Sequence, residues 1–234
     1  MRYIITVSRQ ERGSDERYTQ SFYYEPKDGG DTVATALSAI NERETPTDIN
    51  GKPARRIEWE CGCLQKKCGT CAMIVCGRPR LACEARLSDL SEEIVLKPLR
   101  KFPVVCDLVV DRSILFRNLG NMRLWPPDEP ERSGGYGEIA FESSECLQCG
   151  CCLDVCPDFR AGGGFFGMSV VPTAARLLAE TPEAERKELL KRFKEHFSDG
   201  CVRCFACKNV CPKHIDIEKM LACCGGLAAG RREK

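Results

Sequence analysis

The length, composition and charge of the chain exclude several classes of protein. The chain has 234 residues with 35 Lys and Arg, 34 Asp and Glu and 18 Cys, so its formal net charge is only +1. This balance offers no basic surface for nucleic acid, and no apolar stretch approaches the roughly 20 residues that span a bilayer. The first residues also lack a secretory signal, so we expect a cytoplasmic protein whose thiols bind metal and do not form disulfides.

The first hundred residues predict a small α+β unit. A helix is expected over 31–43, with Asp31 as its N-cap and Val33, Ala36, Leu37 and Ile40 at helical spacing. β-branched and aromatic residues predict strands over 2–7, 20–25, 72–77 and 93–99. We place the end of this unit near Pro103 and predict a first domain over 1–103.

From Val104 onward the pattern changes to that of helices. Residues 104–119 have helical spacing, and a Pro- and Gly-rich connector follows over 125–138. A further helix is expected over 182–197, with a buried stripe formed by Leu189, Leu190, Phe193 and Phe197. We therefore predict an α-helical second domain over 104–234.

Two segments of the second half repeat one cysteine spacing. "CLQCGCCLDVCP" (146–157) and "CVRCFACKNVCP" (201–212) both read C-x2-C-x2-C-x3-C-P. This spacing is typical of two-cluster bacterial ferredoxins, in which the fourth cysteine binds the cluster of the other motif. We predict one [4Fe-4S] cluster held by Cys146, Cys149, Cys152 and Cys211, and a second held by Cys156, Cys201, Cys204 and Cys207.

A third cysteine set lies in the first half of the chain. Its members have the spacing C-x4-C-x2-C followed by a distant cysteine, and they are Cys63, Cys68, Cys71 and Cys83. This spacing is typical of plant-type [2Fe-2S] sites, and Gly69 would let backbone amides approach the cluster sulfurs. Zinc and disulfides are the alternatives for all three sets, but the shared fourth cysteine favours iron-sulfur clusters over zinc.

Six cysteines remain outside the three sets. The spacing selects Cys63 and Cys152 as ligands rather than their neighbours Cys61 and Cys151. We interpret two of the others, Cys76 and Cys106, as small buried apolar residues. The last two, Cys223 and Cys224, are interpreted as a close-packed helix end near a cluster, with a junction to a partner chain as the alternative.

Four segments taken together indicate one protein family. They are "CLQKKCGTCAM" with "RLAC", "FPVVCDLVVD", "ECLQCGCCLDVCP" and the last cysteine set before "CPKHIDI". In these segments the chain resembles the iron-sulfur subunit of the succinate dehydrogenase and fumarate reductase family. The resemblance implies an N-terminal β-grasp, plant-type ferredoxin domain followed by an α-helical, bacterial-type ferredoxin domain. It also implies electron transfer between FAD on a flavoprotein subunit and a quinone at a membrane anchor, or another redox partner.

The chain departs from that family around the second [4Fe-4S] site. Many members have a non-cysteine residue at the position of Cys204 and hold a [3Fe-4S] cluster, whereas here we expect [4Fe-4S] unless Cys204 is not a ligand. The tryptophan and histidine that typical quinone-reducing members carry after Cys156 and Cys201 are missing, so a low-potential quinone or a non-quinone partner fits as well. Lys66 and Lys67 add positive charge beside the [2Fe-2S] site, which favours its reduced state.

The remaining motifs are given structural interpretations. Residues 162–167, "GGGFFG", match G-x-G-x-x-G but lie outside a βαβ unit, so we interpret them as a flexible connector. His196 suits the end of its helix, and His214 is expected at the surface. No nucleophile-base pattern appears, so we predict no catalytic residue in this chain.

These observations predict the electron-transfer subunit of a succinate dehydrogenase or fumarate reductase-like oxidoreductase. It would hold one [2Fe-2S] and two [4Fe-4S] clusters and lie at the inner face of the cell membrane through partner subunits. The alternatives are an electron carrier for a different flavoenzyme, such as a reductase of other unsaturated acids or a thiol-linked reductase, and a zinc-stabilised interaction protein.

Overall fold

A computed structural model describes residues 2–126 and 137–225 of the chain. The chain divides into two units, residues 1–111 and 112–234. The domain limits 1–103 and 104–234 stay a prediction, and residues 127–136 of the predicted connector lie outside the described residues.

The first unit is built on a mixed five-stranded sheet with the strand order β2-β1-β5-β3-β4. Its strands are β1 Tyr3–Gln10, β2 Arg17–Tyr24, β3 Ala72–Val75, β4 Arg78–Leu81 and β5 Glu93–Lys97. In register, Ile5 of β1 lies opposite Phe22 of the antiparallel β2 and opposite Ile94 of the parallel β5. All three side chains are fully buried, so one face of the sheet carries the core. The four predicted strands are confirmed, whereas β4 was not predicted.

Helix α1, Val33–Glu42, begins after a different residue from the one predicted. Thr32 is the N-cap: its hydroxyl accepts a hydrogen bond from Thr35 N at 3.2 Å, and Thr35 Oγ1 accepts one from Thr32 N at 3.3 Å. The prediction of Asp31 as the cap is wrong, because its buried carboxylate accepts a hydrogen bond from the Tyr24 hydroxyl at 2.6 Å. The predicted apolar stripe of α1 is buried as expected.

Residues 104–119 do not form the single helix that the spacing predicts. Two short strands precede a shorter helix: β6 Val104–Cys106, β7 Val109–Val110 and α2 Ser113–Asn121. The turn between the strands holds Asp107, whose buried carboxylate accepts backbone hydrogen bonds from Gln10 and Glu58, both at 2.9 Å. These long-range partners hold the segment extended and override its helical spacing.

The second unit is helical, as predicted. Its other helices are α3 Gly137–Ser144, α4 Cys151–Asp154, α5 Val171–Glu180, α6 Glu183–Phe193 and α7 Ile217–Cys223. Short turns of tighter or wider helix cover Met168–Val170, Lys194–Ser198 and Lys208–Val210. Helix α5 packs against α3 and α7, and its Val171, Ala174 and Ala175 are completely buried.

The predicted stripe on α6 is partly wrong. Leu189, Phe193 and Phe197 are buried, but Leu190 is 37% exposed. Residues four apart share one face of a helix, whereas Leu190 lies about 100° away from Leu189 around the axis. In the two described ranges, no helix is both long enough and apolar enough to cross a membrane.

Candidate metal centres

The four cysteines of the predicted [2Fe-2S] set meet at one end of the β3-β4 hairpin. Three of them lie in the loop that leads into β3, and Cys83 follows the end of β4. Cys71 Sγ lies 3.4 Å from Cys83 Sγ, and Cys63 N donates to Cys68 Sγ at 3.4 Å. The hairpin therefore returns the distant cysteine to the loop, although its ligation of iron stays a prediction.

Backbone amides of the same loop point at the sulfur atoms. Gln65 N and Lys67 N donate to Cys63 Sγ at 3.3 and 3.2 Å, and Lys66 N donates to Cys83 Sγ at 3.3 Å. This orientation needs left-handed backbone, with φ of 54° at Leu64 and 57° at Lys66. Donors that converge on thiolate sulfur fit a negatively charged iron-sulfur cluster.

Two cysteines of this set have opposite pKa shifts. A hydrogen bond with the Thr70 hydroxyl is the largest cause that lowers the pKa of Cys68 to about 6, whereas burial raises the pKa of Cys71 to about 12. A bound metal would hold both as thiolates, because thiols lose their protons when they coordinate metal. Thr70 was missed in the sequence, although its position between Gly69 and Cys71 in "CGTC" puts a hydroxyl beside two predicted ligands.

Two cavities in the second unit are each lined by all four cysteines of one predicted set. The first cavity is lined by Cys146, Cys149, Cys152 and Cys211. The second is lined by Cys156, Cys201, Cys204 and Cys207. Each cavity thus takes three cysteines from one motif and the fourth from the other motif. This arrangement has the form expected of shared sites, and the assignment of the cysteines as ligands stays a prediction.

The cavity walls are mostly apolar, and this environment changes the thiol pKa values. Burial raises the pKa of Cys146 to about 12 and that of Cys207 to about 11. A hydrogen bond from the Cys151 thiol, in contrast, lowers the pKa of Cys149 to about 7. Buried thiols with raised pKa values suit metal ligands, since a metal supplies the positive charge that such thiolates require.

The sequence repeat is also a repeat in backbone conformation. In the first motif Gln148 and Gly150 have φ of 49° and 86°, and in the second motif Arg203 and Phe205 both have φ of 55°. These pairs occupy equivalent positions between the first and third cysteines. Phe205 holds a conformation that glycine adopts freely in the other motif, at a cost of roughly 1–3 kcal/mol. Both motifs therefore turn their cysteines inward in the same way.

No three Cys, His, Asp or Glu side chains among residues 2–126 and 137–225 meet as ligands of one ion would. In a [4Fe-4S] cluster each cysteine binds a different iron atom, and in a [2Fe-2S] cluster each iron atom takes only two of the four cysteines. Their thiols therefore stand farther apart than the ligands of a single ion.

The cysteines outside the sets occupy varied positions. Cys151 is completely buried and does not line the first cavity. Cys106 is buried as predicted, but the same prediction for Cys76 is wrong, because Cys76 is exposed. With φ of 47° and 83°, Cys76 and Gly77 form the two-residue turn between β3 and β4. Such a turn lies outside the core.

The end of α7 and the glycine-rich segment agree only in part with the interpretation. Cys224 is buried at the end of α7 and Cys223 is half-buried, as a packed helix end requires. Within the predicted connector 162–167, however, Phe166 is buried and stacks on His196, with 4.3 Å between ring centroids. His214 is exposed, as expected.

Comparison with known proteins agrees with this architecture. A family model described as a 2Fe-2S iron-sulfur cluster binding domain matches residues 4–117, and one described as a 4Fe-4S dicluster domain matches residues 142–215. The succinate dehydrogenase iron-sulfur subunit of Bacillus subtilis is 31% identical to the chain, over 95% of the chain and 90% of that protein. The fumarate reductase iron-sulfur subunit of Escherichia coli O6:H1 is 26% identical, over 91% and 87%.

A solved structure has the same fold. A chain of the Mycobacterium smegmatis Sdh1 complex in the apo form matches with a TM-score of 0.76 and 23% identity, over 99% of this chain and 98% of that one. The fold class is therefore confirmed: a mixed-sheet 2Fe-2S domain precedes a helical 4Fe-4S domain. The chain belongs to the family of succinate dehydrogenase and fumarate reductase iron-sulfur subunits, and it is an electron-transfer iron-sulfur subunit of an oxidoreductase complex.

Proposed function

We propose that the chain relays single electrons between FAD on a flavoprotein subunit and a second redox partner. The relay uses one [2Fe-2S] cluster and two [4Fe-4S] clusters, held by the three cysteine sets. The observation that carries the proposal is the exchanged lining of the two cavities, in which Cys211 joins the first motif's cysteines and Cys156 joins the second motif's. Zinc sites do not require such an exchange.

The chain itself provides the ligands and surroundings of the clusters and no catalytic residue. The clusters supply the one-electron chemistry when they are bound. The protein supplies thiolates, apolar walls and amide donors such as Lys66 N, which together set how readily each cluster accepts an electron. Oxidation or reduction of the organic substrate then takes place on the flavoprotein subunit.

The second partner docks near the second cavity. Two of the motif residues that line this cavity reach the surface: Cys204 is exposed, and Val202 is 64% exposed. An exposed site shortens the distance to an acceptor on another subunit. That partner is a membrane-anchor subunit with its quinone, or another redox protein, and it holds the chain at the inner face of the membrane.

Anaerobic purification of the intact complex through a tag on this chain tests the proposal. Iron and acid-labile sulfide should match one [2Fe-2S] and two [4Fe-4S] clusters per chain, and a flavoprotein with FAD should co-purify. The complex should interconvert succinate and fumarate. Zinc in place of iron, or the absence of any flavoprotein, would contradict the proposal.

A second candidate is an electron carrier for a different flavoenzyme, such as a reductase of other unsaturated acids or a thiol-linked reductase. The adjacent Cys223 and Cys224 favour it, since Cys224 belongs to a hydrophobic cluster against which Cys223 and the predicted ligands Cys201 and Cys211 also pack. The same purification distinguishes the two, because the co-purified flavoprotein would then reduce another acid or use thiol electron donors and be inactive with succinate.

A further inference from the structure

The first cavity is lined mostly by apolar residues and cysteines, with the charged Lys213 and two neutral polar side chains, Gln148 and Ser169. Ser169 is only 2% exposed, and its hydroxyl oxygen has no hydrogen-bond partner within the described part of the chain. A buried hydroxyl left without a hydrogen-bond partner destabilises the fold. A group that enters the cavity and accepts a hydrogen bond from this hydroxyl would satisfy it.

Gln148 already directs a donor at one of the predicted ligands. Its Nε2 donates to the backbone oxygen of Ser169 at 2.9 Å and to Cys146 Sγ at 3.5 Å. The carbonyl oxygen of Ser169 can only accept, so it fixes the amide with Nε2, and not Oε1, toward the sulfur. Gln148 has left-handed backbone, with φ of 49°, and its amide contacts the sulfur of the cysteine two residues before it.

We propose that Gln148 and Ser169 donate hydrogen bonds to sulfur atoms of the cluster in the first cavity and raise its midpoint potential. The inference rests on the proposed function, since it requires a [4Fe-4S] cluster there. Reduction adds one electron, and with it negative charge, to the cluster and its sulfur ligands. Hydrogen bonds to sulfur stabilise that reduced state more than the oxidised one, and neither side chain has to lose its proton.

The second cavity has no counterpart of this pair. Arg203 occupies the repeat position equivalent to Gln148, and the polar, non-cysteine residues of that lining are Arg203 and Asp158, so the described lining holds no amide or hydroxyl side chain. Two motifs of the same cysteine spacing therefore surround their clusters with different polar groups. A substitution at Gln148 or Ser169 should consequently act on one [4Fe-4S] cluster and leave the other unchanged.

The test uses Ser169→Ala, Gln148→Met and the double variant in the anaerobically purified complex. Midpoint potentials are measured by reductive titration followed by EPR. Each single variant should shift one [4Fe-4S] cluster to a more negative potential, and the double variant should shift it further. The other [4Fe-4S] cluster and the [2Fe-2S] cluster should keep their potentials.

Ser143→Ala is the matched control. Ser143 is also buried, but its hydroxyl donates to the carbonyl oxygen of Ile139 and the residue does not line the cavity. This variant should keep all three wild-type potentials. An equal shift in Ser143→Ala would indicate a general effect of buried serine and overturn the inference.

A second measurement separates hydrogen bonding from a structural effect. Pulsed EPR of the reduced protein before and after exchange into D2O detects exchangeable protons coupled to the cluster, and Ser169→Ala should lose one such coupling. Unchanged potentials and couplings in variants with wild-type iron content would overturn the inference. If Gln148→Met loses iron, the potential and the proton coupling of Ser169→Ala alone test the inference.

A wild-type complex whose iron and sulfide fall short of two [4Fe-4S] clusters would instead refute the proposed function, and the inference with it.

Discussion

Arg9 and Asp107 form an ion pair in which neither side chain is exposed, with 3.4 Å between Arg9 Nε and Asp107 Oδ1. The Asp107 carboxylate also accepts hydrogen bonds from Gln10 N at 2.9 Å and Arg55 Nη2 at 3.0 Å. Arg9 Nη2 in turn donates to the carbonyl oxygen of Arg55 at 2.9 Å. Through Arg55, these contacts connect β1 and the β6-β7 turn to the segment that precedes the loop with Cys63, Cys68 and Cys71.

Replacement of the buried carboxylate should destabilise the first unit strongly. In Asp107→Asn the Arg9 guanidinium stays buried without a compensating charge, so we expect the free energy of unfolding to fall by roughly 3–5 kcal/mol. Urea unfolding followed by the visible absorption of the [2Fe-2S] cluster measures it. The control is Glu25→Gln, which breaks an ion pair with side chains 59% and 65% exposed and should cost less than about 1 kcal/mol. Similar losses in both variants would contradict the assignment.

Lys66 and Glu84 place opposite charges beside the same cluster. Their side chains form an ion pair, each about one-third exposed, and Glu84 directly follows Cys83. Glu84→Gln should raise the midpoint potential of the [2Fe-2S] cluster, and Lys66→Met should lower it. We expect shifts of roughly 10–40 mV, because charge interactions at such exposure are worth about 0.2–1 kcal/mol and a one-electron couple moves about 59 mV per factor of ten.

The double variant Lys66→Met with Glu84→Gln provides the control for this prediction. The two charges are removed together, so its potential should lie close to that of the wild type. Optical redox titration of the intact complex measures all four proteins. Shifts of the same sign in the two single variants would show that lost packing, and not charge, changes the potential.

We expect Cys204 to determine whether the second cluster holds three or four iron atoms. With four thiolates around the second cavity we expect [4Fe-4S], and the oxidised wild type should show no intrinsic [3Fe-4S] EPR signal. Cys204→Ala should convert the cluster to [3Fe-4S] with a more positive potential, since a thiolate charge is lost. The control is Cys61→Ala, an exposed cysteine beside Cys63 that should leave every cluster unchanged. A dominant [3Fe-4S] signal in intact wild type would exclude Cys204 as a ligand.

Gly167 has no room for a side chain. A Cβ atom there would lie 2.4 Å from Leu153 Cδ2 and 3.3 Å from Phe159 Cδ2, and φ is +70°. Gly167→Ala should therefore lower the stability of the second unit by about 2–4 kcal/mol, from overpacking and left-handed strain together. Gly164→Ala is the control, because nothing lies within 4 Å of its Cβ position. The temperature at which cluster absorption is lost under anaerobic conditions compares them, and equal temperatures would refute the steric argument.

The sequence predicted the cysteine sets better than the segments between them. Ligand spacing within a tight turn limits which thiols can meet, so the cysteines that line each cavity, including the exchanged Cys156 and Cys211, followed from the spacing, and their ligation of iron stays a prediction. The hairpin at 104–110 did not, because its valines also fit a helical period and only contacts with distant residues such as Arg9 decide its conformation. Ser169 was missed for the same reason, since it reaches the first cavity through the fold and no spacing relates it to Cys152.

The crossed linings of the two cavities have a consequence for biosynthesis. Residues 146–156 leave the ribosome before residues 201–211. The first cavity therefore lacks Cys211 until the second motif has been synthesised, and the second cavity takes Cys156 from the motif synthesised earlier. A cube delivered to the nascent chain would meet three thiols and keep one corner open to water and oxygen. We therefore expect both clusters to be inserted only after the whole chain has been synthesised, and we expect truncation of either motif to remove a ligand from both clusters.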